Sequence, residues 1–207
     1  MADYARQAFL NVPFDRRYQK LLNALVFAVH SCTLYARCAR EYDDGGQIRL
    51  DKLYTIISEC QFGIHDLSRT TLDTQNRLPR FNMPLELGLF LGARHFGGVK
   101  QRDKRCLILD REPHRYQKFC SDIAGQDISA HHNEAAHALR AVRNWLQTHL
   151  PPNAKLPSAS VLAARYIRFQ QQLPFMCATE GLDKRDLTFI DYRSLVDAWI
   201  EVNPVAA

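Results

Sequence analysis

The sequence predicts a three-layer α/β sandwich on a parallel sheet, followed by a C-terminal helical lobe. Three observations carry this expectation. Short apolar runs alternate with amphipathic helical segments from residue 8 to residue 150, the order of parallel strands joined by helical crossovers. The apolar runs carry hydrophobic residues at consecutive positions, as strands covered on both faces do. Pro151-Pro152 then halt the alternation, and only helical periodicity follows. The expected division is an α/β domain over residues 1–150 and a helical extension over 151–207.

Ala8 to Phe14 reads as the first strand, interrupted by Asn11 and ended by Pro13. After a turn at Asp15-Arg-Arg17, Tyr18, Leu21, Leu22, Leu25 and Val29 recur at helical spacing, and Val26 and Phe27 widen the apolar face. Thr33 to Cys38 alternates as a second strand, and Glu41 to Gly46 is a loop by composition. Leu50, Leu53, Ile57 and Cys60 mark the next helix. Gln61 to Ile64 reads as the end of a third strand, with Asp66, Ser68 and Arg69 where it gives way to a loop. A polar linker, Thr70 to Arg80, leads to a helix opened by Asn82 as N-cap and Pro84 in the first turn, where Glu86 also falls. Lys104 to Asp110 is the clearest buried strand. Tyr116 to Ala124 suggests a short helix, and Gly125 to Ile128 a return to extended chain. Ala135, Leu139, Val142, Leu146 and Leu150 form a last crossover helix. In the lobe, Ser158 or Ser160 caps one helix, and Thr188 with Asp191 forms a capping box for another, whose apolar face includes Phe189, Tyr192, Val196 and Trp199.

The 207 residues, 46% hydrophobic, suffice for a substantial core. No apolar run is long enough to span a membrane, and the first residues lack the apolar stretch of a secretory signal. The six cysteines are scattered without a CxxC pair, which reads as buried thiols in a reducing cytoplasm rather than disulfides or a zinc site. A net charge of +5 suits an anionic small molecule such as a nucleotide. Nucleic acid is disfavoured, because no arginine-rich block or aromatic-interleaved basic patch is present. There is no GxGxxG after the first strand, no P-loop and no GxSxG elbow, so redox-dinucleotide, phosphoryl-transfer and serine-hydrolase readings lose their support. His131, His132 and His137 form no convincing metal set and read as surface histidines.

The candidate chemistry rests on two acids. In open α/β sheets ligands bind outside the carboxyl ends of the strands. Asp66 at a strand end and Glu86 at a helix start can face one crevice there. The simpler reading of Glu86 is an acid favoured by the positive end of its helix. Against it, Leu85, Leu87, Leu89 and Leu91 surround the carboxylate with apolar residues, so its burial is costly without a task or partner. The simpler reading of Asp66 is a turn-and-cap aspartate. Asn11, Pro13, Phe14, Arg69 and Asn82 are the expected substrate-binding residues. The competing role for Asn11 is a hydrogen bond to loop backbone, and for Arg69 a solvated side chain. His65 reads as a packing histidine, and Arg37 and Arg49 as weaker phosphate-binding candidates.

Leu10-Asn-Val-Pro-Phe14, Gly63-Ile-His-Asp-Leu-Ser-Arg69 and Asn82-Met-Pro-Leu-Glu-Leu-Gly88 together resemble the nucleoside 2-deoxyribosyltransferase-like proteins, which are related in fold to TIR domains. The likeness covers roughly residues 8–125. It implies a flavodoxin-like parallel sheet, Glu86 as the nucleophile or essential acid of N-glycosidic cleavage, and Asp66 as the sugar-binding acid. The substrate class it implies is a nucleoside, a nucleotide or NAD, with no metal or redox cofactor. The chain also looks like bacterial TIR-like proteins associated with defence, which implies a homo-oligomer. A non-catalytic nucleotide-sensing module is the alternative. The sequence departs from the transferase pattern at Arg80-Phe-Asn-Met-Pro84, where Asp and Gly-Thr usually stand.

Overall fold

The computed structural model describes residues 3–42, 44–70 and 80–205. Its elements, in chain order, are β1 (Gln7–Asn11), α1 (Gln19–Ser31), β2 (Tyr35–Arg37), α2 (Arg49–Glu59), β3 (Phe62–Asp66), α3 (Asn82–Phe96), α4 (Val99–Arg102), β4 (Arg105–Asp110), β5 (Ile128–Ala130), α5 (Ala135–His149), α6 (Ala159–Thr179) and α7 (Phe189–Val202). The five strands are all parallel, in the order β2-β1-β3-β4-β5. This is the flavodoxin-like order, in which the winding direction reverses between β1 and β3.

Strand alternation assigns each inward side chain to a face. Ala8, Leu10, Phe62, Ile64, Leu107 and Leu109 meet α1 and α5 in one core. Phe9 meets Phe90 of α3 and Leu53, Ile56 and Ile57 of α2 on the opposite face. Ile108 on that second face meets Met83 and Leu87 of α3. The sheet is thus covered on both sides, which explains the two-faced apolar runs.

The C-terminal helices add to the first core. Phe27 of α1 touches Tyr166 and Phe169 of α6 and Trp199 of α7, with ring centroids 5.3, 5.3 and 5.7 Å away. The α1 helix is therefore buried on its sheet side by strands and on its outer side by α6 and α7. Pro151–Pro157 is a break in secondary structure, not a break between hydrophobic cores. Ser158 caps α6, and Thr188 with Asp191 forms the capping box of α7, as the sequence predicts.

Several boundaries shift. The first strand ends at Asn11, leaving Pro13 and Phe14 in the following loop. The expected helix over 116–124 is two short 3-10 turns, Arg115–Lys118 and Ser121–Ile123. The extended segment after it is displaced to Ile128–Ala130. Residues 71–79 of the expected linker lie outside the described residues.

Candidate functional site: two buried acids on opposite faces of the sheet

Asp66 is the last residue of β3, at the strand end where the sequence places it. Its neighbour His65 faces α3, ringed edge-on by Phe9 and Phe90. Successive strand side chains point to opposite faces, so Asp66 points toward α1. There it is fully buried. Oδ1 accepts the Ser68 backbone N–H at 2.7 Å, and Oδ2 accepts the Tyr18 hydroxyl at 2.5 Å. His131 Nε2 lies 2.9 Å from the same Oδ2. His131 Nδ1 accepts the Asn133 N–H, so in the neutral ring the proton sits on Nε2, facing the carboxylate. That N–H is close to Asp66 without the alignment of a full hydrogen bond. Burial pushes the Asp66 carboxyl up, but the His131 contact, Ser68 and Tyr18 outweigh it and hold it below its usual value. His131 is wholly buried, which corrects its reading as a surface histidine.

Glu86 occupies a different environment. It lies in the second turn of α3, not the first. Asn82 is the first helical residue and exposed; Phe81 takes the cap position with no side-chain bond, so the expected Asn82 cap does not form. Met83, Glu86, Leu87 and Phe90 are the buried residues of the helix. This is the i, i+3, i+4, i+7 stripe of an amphipathic helix, so Glu86 stands where a hydrophobe belongs. Leu85 is exposed and Leu89 and Leu91 only half-buried, so sequence neighbours do not form the pocket. The Glu86 side chain is 5% exposed, and its nearest ionic partner is Arg49 at 3.8 Å. It makes no hydrogen bond among the described residues. Burial raises its pKa to about 7, against a lowering contribution from Arg49.

The structure does not bring Asp66 and Glu86 together. Asp66 belongs to the α1 and α5 face, Glu86 to the α2 and α3 face, and no contact joins them. What does lie with Glu86 is Asn11. Asn11 Nδ2 donates to Met83 O at 2.8 Å and to His65 Nδ1 at 3.0 Å, tying the first turn of α3 to the end of β1. Both partners accept, which fixes the amide orientation and leaves Asn11 Oδ1 buried with no partner among the described residues. His65 then carries its proton on Nε2. Burial, with Lys104 nearby, pushes its pKa down to about 3, so it is a neutral packing group. A Cβ on Gly63 would lie 2.6 Å from His65 Nε2 and 2.7 Å from the Phe90 ring, so only glycine lets α3 sit this close.

The loops around this edge are basic. Arg69 and Arg80 approach Asp15 at 3.8 and 4.0 Å, bridging the loops after β1 and β3 at the winding reversal. Arg69 Nε has no hydrogen-bond acceptor among the described residues. Pro13 is buried and Phe14 half-buried beneath the Arg40 guanidinium, 4.7 Å from its ring centroid. Arg37 is buried and paired with the buried Glu41 side chain and with exposed Glu59. Family models, curated proteins and solved structures yield no match to this chain.

The sequence reading missed Tyr18, His131, Asp110 and Arg115 as parts of this edge. Asp110, fully buried at the end of β4, accepts from Arg115 Nη2 at 2.6 Å, and Arg115 also donates to Leu67 O at 2.7 Å. Arg115 thereby fastens the loop after β3 to β4. Burial raises the Asp110 carboxyl above its usual value against this partner, and its Oδ2 is unpartnered. A strand-terminal Asp in Leu-Ile-Leu-Asp was the available signal. Unpartnered buried polar atoms gather here at the strand ends: Asn11 Oδ1, Ser68 Oγ and Asp110 Oδ2. Such atoms are scarce in folded interiors. Among the described residues no cluster could hold a metal ion, and no helix is long and apolar enough to cross a membrane.

Proposed function

We propose that the chain breaks the N-glycosidic bond of a nucleoside, a nucleotide or NAD, with Glu86 as the acid facing the sugar. The observation that supports this is a carboxyl group in the apolar stripe of α3, without a hydrogen-bond donor among the described residues and with its pKa raised to about 7. An ionised carboxylate in such surroundings is poorly solvated, and a developing positive charge beside it is strongly favoured. Glycosidic cleavage creates that charge at the anomeric carbon while the bonding electrons leave with the base. Water then supplies hydroxyl to the sugar and a proton to the departing base. A Glu86 pKa near neutrality suits transfer of that proton. Arg69 and Arg80, both in the loop after β3 and near Asp15 of the loop after β1, suit the phosphate of a nucleotide.

In this reading Asp66 does not hold the ribose. Both its oxygens are engaged and it has no exposed surface, so it belongs to the scaffold that sets the loop after β3. Asn11 is a positioning residue that fixes where α3, and so Glu86, begins.

Incubation of the protein with NAD and a panel of nucleosides, followed by chromatography of free base, tests the proposal. Base release by the parent and loss of at least about 100-fold with Glu86→Gln is the expected result. Release at the parental rate by the variant removes Glu86 from the mechanism. Tight nucleotide binding with no turnover, weakened by substitution of Arg69 or Arg80, identifies a sensing module instead.

A further inference from the structure

The open edge of the sheet carries a cleft of about 980 Å³, away from Glu86. Its floor exists because β5 pairs only with residues 108–110 of β4, leaving Arg105, Cys106 and Leu107 uncovered on that side. The last turn of α3 and one face of α5 form the walls. Such a volume lies at the upper end of small-ligand sites.

Three arginines from three elements converge on it: Arg94 from α3, Arg105 from β4 and Arg140 from α5. None of them has a carboxylate partner among the described residues. The one acid in the lining is Asp127. Like charges gathered in a concavity repel one another and concentrate anions. Histidines add further donors. His132 is held at φ 52°, a left-handed conformation unusual for a non-glycine residue, with its ring against His137 at 5.5 Å. His137 Nδ1 is buried, makes no hydrogen bond among the described residues and lies 3.8 Å from a Glu134 carboxylate oxygen. The aromatic component is Trp145, half-buried in the wall, with the His149 ring 5.4 Å away.

We infer that this cleft binds a polyphosphorylated nucleoside, its phosphates held by Arg94, Arg105 and Arg140 and its base on the Trp145–His149 side. Unpaired guanidiniums suit phosphate oxygens through bidentate, charge-assisted bonds. An indole edge with a neighbouring imidazole suits a flat heterocycle. The cleft lies along the β4–β5 edge and shares none of its lining with Glu86, Asn11 or the loops after β1 and β3. The inference therefore stands independently of the chemistry proposed for Glu86.

The test is titration of the full chain with ATP, adenosine, inorganic pyrophosphate and a short single-stranded DNA, followed by calorimetry and tryptophan emission. Trp199 is buried at 2% exposure, so quenching reports Trp145. The expected result is one ATP per chain that quenches emission, with pyrophosphate and adenosine each binding more weakly. Arg140→Glu, at an exposed position on α5, should weaken ATP by about tenfold or more, since it removes a charge-assisted bond. Glu86→Gln should leave the quenching titration unchanged. Equal ATP affinity in Arg140→Glu and parent overturns the inference, and so does DNA binding with no response to ATP.

Discussion

Asp66 and Glu86 are both buried acids on the α/β sheet, yet their environments push them in opposite directions. On the α1 face, Asp66 is surrounded by donors and stays ionised below its usual range. On the α3 face, Glu86 has a distant arginine and an apolar stripe, and its pKa rises to about 7. Burial is common to both, so hydrogen bonding decides the sign. A fully satisfied carboxylate has spent its bonding capacity on the fold, whereas an unsatisfied one retains it for a ligand. This contrast supports a scaffold role for the first and, under the chemistry proposed above, the reacting role for the second.

Four substitutions sharpen or break that contrast, beginning with the largest effect. Asp66→Ala strands the Tyr18 hydroxyl and His131 in the core and should cost about 3–5 kcal/mol in denaturant unfolding; a loss below about 1 kcal/mol would mean the network is not a scaffold. In the parent, the Asp66 contribution is in place above its ordinary pKa and disappears as acid lowers the pH through the depressed folded value. Glu86→Gln should act the other way and stabilise. The folded state holds this proton more tightly than the unfolded chain, so the penalty grows as pH rises from 4.5 and is complete above about 7. The gain should approach about 3 kcal/mol at pH 8 and vanish near pH 4. A gain independent of pH would show that ionisation is not its source. Gly63→Ala drives a methyl into His65 and Phe90 and should cost about 1–3 kcal/mol by thermal unfolding, with α3 displaced and base release lowered. Smallest is Asn11→Ala, which unties Met83 from β1 and should cost about 1 kcal/mol. Its informative readout is slower base release at nearly unchanged stability, and parental turnover would deny Asn11 a positioning role.

The layered sheet was legible because each strand carries its own apolar run and each crossover its own period. Ser158 and the Thr188–Asp191 box were legible because capping is local. The relation between the two acids was not. It turns on which helices cover the face that Asp66 shares with Phe62 and Ile64, and that is set by tertiary packing. The Phe62–Asp66 run offers no local marker of that choice. His131 was obscured for a different reason. Its partner Asp66 sits far away along the chain, and a double histidine after a short edge strand resembles any polar loop. The arginines of the edge cleft were likewise invisible as a group, since Arg94, Arg105 and Arg140 meet only through the tertiary fold.

The placement of α1 between the strands and the last two helices has a consequence for biosynthesis. Phe27 leaves the ribosome well before Phe169 and Trp199, the residues that cover it. Until then the nascent chain carries a two-sided greasy helix with one side bare. Loss of α7, whether by a premature stop or by proteolysis, should therefore yield an aggregating chain rather than a smaller working sandwich, even though every strand and Glu86 would still be encoded.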